Sequence, residues 1–461
     1  MPKKIHLISF IHAAASSMAY GQWKDTEDKL AREYTDPNFW VKTAQTLERG
    51  GFDAIFFADA HGVKDVYRGS YEASVKSGMQ FPACDPILVA AAIARETKTI
   101  GLIVTWSAGY FPPYHTARLF STLDHLTNGR AGWNVVTSYL SAGLKNGMGD
   151  NIPHDERYDR ADEYMDVVYK LWEASWDDDA VQLDAAKGIF TDPTKVRRIK
   201  HQGENYQLDA VHLSAPSPQR TPVLYQAGAS PKGMGFAAKH AECIFVNGPS
   251  RTVLASAVSK ARDHIARQGR DPSQVLIFAG MTVIVGRTDK EATDRLHEYR
   301  QYVDRDGALT LMSGWTGIDF STYGKDDRVQ HIRNDAIHSA VDRFTIADPN
   351  KVWTIGEVAE FVSIGGAGPV VVGSPERVAD ELVAWMQDTG VDGFNLMYTV
   401  MPECFTDFVD LVVPELQRRG VYKTEYAPGS LRQKLIGNGA RTSLPHPSAV
   451  FRSQARDIAT S

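Results

Sequence analysis

Leu123-Asp124-His125-Leu126-Thr127-Asn128-Gly129-Arg130-Ala131-Gly132-Trp133-Asn134-Val135-Val136-Thr137-Ser138 reads as a helix end, a tight glycine turn and then a buried strand. The strand finishes in small polar residues, Asn134, Thr137 and Ser138. Such a strand delivers hydrogen-bonding groups to one rim of a sheet or barrel, which is where α/β folds place their ligands.

The same alternation continues on both sides. Eight short apolar runs predict strands: Ile5–Ile11, Asp53–Asp59, Ile100–Ser107, Ala131–Ser138, Val223–Ala227, Cys243–Asn247, Leu276–Val285 and Gly393–Thr399. Amphipathic stretches between them predict helices, among them Asn38–Arg49, His115–Leu126, Arg157–Glu173, Lys232–Ala241, Thr252–Gln268, Asp289–Tyr302 and Pro375–Thr389. Strands alternating with helices demand a parallel sheet covered by helices. Eight such units point to an α/β fold of the (β/α)8 TIM-barrel type rather than an open doubly wound sheet, and no GxGxxG follows the first run. The 461 residues suit one barrel, residues 1–425, with long insertions at about 174–222 and 304–372. Connections of that length are usually lids or added subdomains, and the second is expected to be a lid. Residues 426–461, rich in Pro, Ser, Gly and Arg, are expected to form a C-terminal extension that frays or wraps a partner subunit.

With 43% hydrophobic and 23% charged residues the composition is that of an ordinary globular protein. A formal charge of -6, with basic residues scattered, offers no footprint for nucleic acid. The run Ile5–Ile11 is too short for a secretory h-region or a membrane span, so a cytoplasmic protein without a membrane span is expected. Cys84, Cys243 and Cys404 lie far apart and form no CxxC, which predicts buried free thiols. HExxH, Walker A and GxSxG sequences are missing, so neither a metal nor a hydrolytic site is expected, and any redox chemistry falls to an organic cofactor.

Several strand ends carry polar groups that packing alone does not require. Asp59 follows five apolar residues, and a buried carboxylate there needs donors or a cation, either from a ligand or from a cap. Thr105 and Ser107 end the third run, as Asn134, Thr137 and Ser138 end the fourth. Tyr225-Gln226-Ala227-Gly228-Ala229-Ser230-Pro231-Lys232-Gly233 passes from a strand through small residues into a helix, an arrangement that can gather backbone N–H groups and the Ser230 hydroxyl around a phosphate. Gly373-Ser374-Pro375-Glu376 is read as a plain helix start. The charge-dense run 154–164 predicts a solvated helix face with i, i+4 pairs, from which Tyr158 can still reach inward to a phosphate. His12, His61, His115 and His125 sit near strand ends or helix starts as isolated histidines.

Taken together, these residues resemble the bacterial-luciferase-like flavin monooxygenases, in the branch of the nitrilotriacetate, dibenzothiophene-sulfone, long-chain-alkane and dimethyl-sulfide enzymes. The resemblance covers nearly the whole chain. It is carried by the stretches 52–59, 113–118, 121–127, 133–138, 154–158, 216–222 and 226–230, with 314–320 and 393–396 most similar to the dimethyl-sulfide and alkane enzymes. It implies a two-component monooxygenase that takes reduced FMN (FMNH2) from a separate NAD(P)H-dependent flavin reductase, reacts it with O2 and oxidises a small or medium organic substrate through a flavin peroxide. C–S or C–N cleavage and hydroxylation are the implied outcomes. Carried over residue by residue, it puts Asp59 beside the flavin ring, Thr105 and Asn134 along the ring and ribityl chain, and Ser138, Tyr158, Ala229 and Ser230 at the phosphate. It also implies homodimers or homotetramers. One departure falls after the first strand, where the alkane and dimethyl-sulfide enzymes carry a cysteine and a histidine near the flavin and this chain has Ala14 and Ser17. The polar groups offered to the pocket are then His12 as a proton donor, Ser16, Ser17 and the Gln80 amide. Trp106, Tyr110, Phe111, Trp315 and Phe320 are candidates for an apolar wall. Other readings of the barrel are a riboflavin-cleaving lyase of the same branch, a deazaflavin (F420)-dependent hydride-transfer enzyme, and a flavin-binding barrel without turnover.

Overall fold

The computed structural model describes residues 3–138, 143, 146–147, 152–329, 344, 351–366 and 368–455. All eight predicted strands form, as β1 (His6–His12), β2 (Ala54–Ala58), β3 (Gly101–Ser107), β4 (Ala131–Val136), β5 (Val223–Gln226), β6 (Cys243–Val246), β7 (Leu276–Val285) and β8 (Gly393–Met397). They pair in parallel in chain order up to β7, with β8 set between β7 and β1, and the pairing of β6 with β7 closes the ring into a TIM barrel. The long β7 runs on past the barrel and pairs through Thr282–Val285 with an extra strand, Val370–Gly373.

Alternation along each strand sets the two layers. Ile8, Ala54, Phe56, Ile103, Val223, Tyr225, Phe245 and Phe278 fill the barrel, where Phe245 stacks on Phe56 and Tyr225 at centroid distances of 4.7 and 5.7 Å. Intervening residues such as Leu7, Ile55, Leu102 and Leu224 pack outward against the helices. The predicted helices form to within a few residues. Ser230, Ser250, Thr288 and Ser374 each accept a backbone N–H as N-caps, and Ser374 is the helix start that the sequence suggested.

The interval 174–222 folds as two hairpins, Val181–Asp184 with Ile189–Thr191 and Arg198–Gln202 with Gln207–Val211. Within 304–372 the helices Arg305–Thr316 and Ile355–Ser363 are present, while residues 330–343, 345–350 and 367 of the expected lid lie outside the described residues. The charges of the 154–164 run pair across to other elements: Asp159 with Lys232, Asp162 with His240 and Lys239, and Glu163 with His201. The tail departs most from its composition. Residues 431–436 form a helix beneath the barrel, and Leu431 and Leu435 plug its floor against Ile8, Ala54 and Ile103. A Cβ on Gly101 would lie 2.6 Å from Leu431, so the first residue of β3 has to be small. Among the described residues no helix is long and apolar enough to cross a membrane.

Candidate active site

The carboxyl ends of the strands carry the polar groups. Thr105 and Asn134 are register partners on β3 and β4, and Asn134 Nδ2 donates to Thr105 Oγ1 at 3.0 Å. Both are buried, and among the described residues Asn134 Oδ1 has no hydrogen-bond partner. Beyond β4 the chain turns through Ser138, whose φ of 59° is left-handed. Its hydroxyl donates to Ser107 Oγ at 2.8 Å, and its carbonyl accepts from Arg157 Nη1 at 2.6 Å.

Tyr158 is buried on the helix His154–Tyr169 and points its hydroxyl at the β5 loop. A Cβ on Gly228 would lie 2.4 Å from Gln226 Nε2 and 2.9 Å from Tyr158 OH; one on Gly233 would lie 2.7 Å from that hydroxyl and 3.0 Å from Ser230 Oγ. Two glycines thus keep a small concave space open between Tyr158, Gln226 and the first turn of the helix Pro231–His240. Ser230 Oγ accepts from Gly233 N at 3.0 Å and retains its own O–H to donate. Burial pushes the Tyr158 pKa upward against the opposing pull of Thr137, Arg157 and Gln226, so the phenol remains an O–H donor. Ala229 is exposed beside this space. Hydroxyl and backbone donors at a helix N-terminus suit a phosphate, so these residues fit the FMN phosphate.

The opposite side of the rim, after β1 and β2, holds the other predicted residues. His12 is buried at the end of β1. Tyr398 OH donates to Ser16 O at 2.8 Å and accepts from His12 N at 3.3 Å, with His12 Nδ1 3.5 Å away. Burial, aided by the charge of Lys64, lowers the His12 pKa to about 3, so its ring is neutral at physiological pH. Asp59 accepts from Ala60 N at 2.8 Å and lies 3.8 Å from His61; burial raises its pKa. Gln80, with a left-handed φ of 50°, has its N–H fixed on Ser16 Oγ at 2.9 Å, and its Oε1 accepts from Lys64 Nζ at 2.5 Å. Ser17 closes a local turn, donating to Ala19 O at 3.0 Å and accepting from Ala19 N at 3.2 Å.

Trp106 stacks on Phe111 at 4.0 Å, and His61 sets its ring edge-on to Trp106, Tyr110 and Phe111. The Trp106 indole donates to Thr116 in the neighbouring helix. Trp315 and Phe320 pack against the main core. Lys64 and Tyr398 are two site residues that sequence reasoning missed. In His61-Gly62-Val63-Lys64-Asp65-Val66 the lysine looks like any solvated charge, and Tyr398 looks like one more apolar residue ending a strand. Neither carries a local signal, because distant segments make both environments.

A family model described as luciferase-like monooxygenase matches residues 7–393. The dimethyl-sulfide monooxygenase of Hyphomicrobium sulfonivorans is 46% identical over 98% of this chain and 94% of its own length. The long-chain alkane monooxygenase of Geobacillus thermodenitrificans is 43% identical over 99% of this chain and 100% of its own. Among solved structures, a riboflavin lyase with modified FMN and riboflavin superposes with a TM-score of 0.91 at 33% identity, covering 98% of this chain and 100% of that one. With the barrel, the polar rim and the two-glycine cradle in place, these matches along almost the whole chain show that the protein belongs to the luciferase-like monooxygenase family.

Proposed function

We propose that the protein is the oxygenase component of a two-component system: it binds FMNH2 delivered by a separate NAD(P)H:flavin reductase and uses O2 to oxidise a small or medium organic substrate. The observation that carries this reading is the cradle of Tyr158, Ser230, Gly228 and Gly233, whose hydroxyl donors at a helix N-terminus suit a phosphate monoester. Reduced flavin supplies the electrons and the oxygen-activating chemistry when bound. Tyr158 and Ser230 hold the phosphate, with Ser138 and Ala229 beside them. Thr105 and Asn134 line the path from cradle to rim, where the unpartnered Asn134 Oδ1 is an acceptor for a ligand donor. Asp59 stands at the ring edge. Neutral His12, positioned by Tyr398, serves the substrate side as a hydrogen-bonding group, and Ser17 with Gln80 shapes the loop that carries it. The stacked Trp106–Phe111 pair and His61 shield that side from water, which limits unproductive release of peroxide. A cytoplasmic homodimer or homotetramer is the setting we infer.

The experiment mixes the protein anaerobically with FMNH2, adds O2 and follows flavin absorbance and product. Reoxidation slower than that of free flavin, coupled to substrate oxidation, supports the reading. Reoxidation identical to free flavin with every substrate sinks it. The structural likeness to the riboflavin lyase favours a second reading, in which riboflavin itself is consumed in the same assay. Turnover without O2 would point instead to deazaflavin-type hydride transfer.

A further inference from the structure

Four cationic side chains are buried among the described residues: Lys64, Arg130, Arg220 and Arg432. Three are saturated. Arg130 makes five hydrogen bonds to carbonyl and hydroxyl oxygens, Arg220 pairs with Asp178, and Arg432 pairs with Glu242. Lys64 differs. It is 2% exposed, and among the described residues its Nζ donates only to the neutral Gln80 Oε1 and no carboxylate forms an ion pair with it. Asp59 acts on it through space without contact, and burial lowers its pKa to about 8, which still leaves it charged at neutral pH. An ammonium has three donors, and a buried charge with two of them unused is costly unless something compensates it.

The surroundings hold Lys64 in place. Ser74 Oγ donates to its carbonyl at 2.7 Å. The helix Arg305–Thr316 presses Gly314 onto its stem, where a Cβ would lie 2.3 Å from Lys64 Cγ. Gln80, its single partner, is fixed in a left-handed conformation by Ser16. His12 and Asp59, the groups that feel its charge, end β1 and β2, across the rim from the phosphate cradle.

We propose that Lys64 Nζ, flanked by the Gln80 amide, is the binding site for an anionic oxygen group on the organic substrate, a carboxylate or sulfonate. This rests on the reading of the rim as the mouth of a flavin monooxygenase. The substrate then has an apolar body and one charged end, which a charge-assisted hydrogen bond anchors while the rest of the molecule reaches the flavin.

The test titrates the FMN-loaded protein by calorimetry with butanoate, octanoate and octanesulfonate, and with butanamide and octanamide as neutral matches. The wild-type protein is expected to prefer the anions by about tenfold or more. Lys64→Met should abolish that preference while FMN affinity, read by fluorescence quenching, stays within about twofold. Gly314→Ala, which keeps the charge but displaces the stem, should reduce the preference in part. Equal binding of anions and amides by the wild type, or an undiminished preference in Lys64→Met, overturns the proposal. So does a loss of FMN affinity in Lys64→Met with the preference intact, since Lys64 then serves the flavin. Failure of the wild type to bind FMN sinks the monooxygenase reading instead, and the anion preference is then read on the protein alone.

Discussion

The two ends of the barrel are built by the same strands and treat polar groups in opposite ways. At the lower rim, the residues just before β2, β6 and β8 are the buried carboxylates Asp53, Glu242 and Asp392, and each has charged and backbone partners. Asp53 accepts from Leu7 N at 2.9 Å and pairs with His6 and Lys423. Glu242 takes Arg432 Nε and Nη2 at 2.7 and 2.8 Å. Asp392 accepts from Ile277 N and Arg262 at 2.6 Å and pairs with Lys3. At the upper rim, among the described residues, Asn134 Oδ1 and Thr282 Oγ1 are buried without partners, and Lys64 has one neutral acceptor. The lower rim uses its charges to close the barrel, whereas the upper rim leaves Asn134 Oδ1 and most of the Lys64 ammonium without protein partners among the described residues.

The sharpest way to break this contrast is Arg432→Met, which strands Glu242. We expect a loss of about 3–5 kcal/mol in denaturant unfolding, with the FMN affinity of the folded protein unchanged. A fall in flavin affinity would show that the two rims are coupled. Asp53→Asn is next, with about 2 kcal/mol lost at neutral pH. Burial alone would raise the Asp53 carboxyl, but Lys423 and His6 outweigh it and hold its pKa well below the usual value. Because the folded value lies below the unfolded one, the stabilisation is full above the unfolded pKa of about 3.9 and is lost as pH falls toward the folded value. The stability gap between wild type and variant should therefore close below about pH 4; a gap independent of pH would remove the ion-pair explanation.

At the upper rim the effects should appear in binding instead. Tyr158→Phe is expected to weaken FMN about tenfold while leaving riboflavin affinity and the unfolding midpoint unchanged, as measured by flavin fluorescence. Equal losses for the two flavins would take the hydroxyl away from the phosphate. The smallest difference compares two N-caps of the same chemistry. Ser230→Ala and Ser374→Ala should each cost about 1 kcal/mol of stability, but only Ser230→Ala should also weaken FMN.

Much of this was legible in the chain. The eight strands follow from apolar runs ending in polar residues, Thr105 and Asn134 among them, while the register that sets those two side by side came from the fold. The Gly228–Gly233 turn was readable because glycine and serine ahead of a helix have a local meaning. Part of the stretch that carried the family resemblance proved to belong to the lower rim: Asp124 accepts from Gln219 N and Nε2 at 2.8 and 2.7 Å and helps fix the barrel floor. The role of the tail was hidden, since a polar, proline-rich composition does not reveal that Leu431, Arg432 and Leu435 find a matching hollow under the barrel.

By itself the sequence determined the barrel, its eight strands and the small-residue turn that opens the helix Pro231–His240, because hydrophobic period, capping and turn chemistry act between near neighbours in the chain. Only the tertiary structure decided which charges are compensated. Lys64 and Lys423 are indistinguishable as letters, yet the fold brings Asp53 to one and only an amide to the other. The electrostatic environment of a side chain is a sum over groups far apart in sequence, so it exists only once the chain has closed on itself.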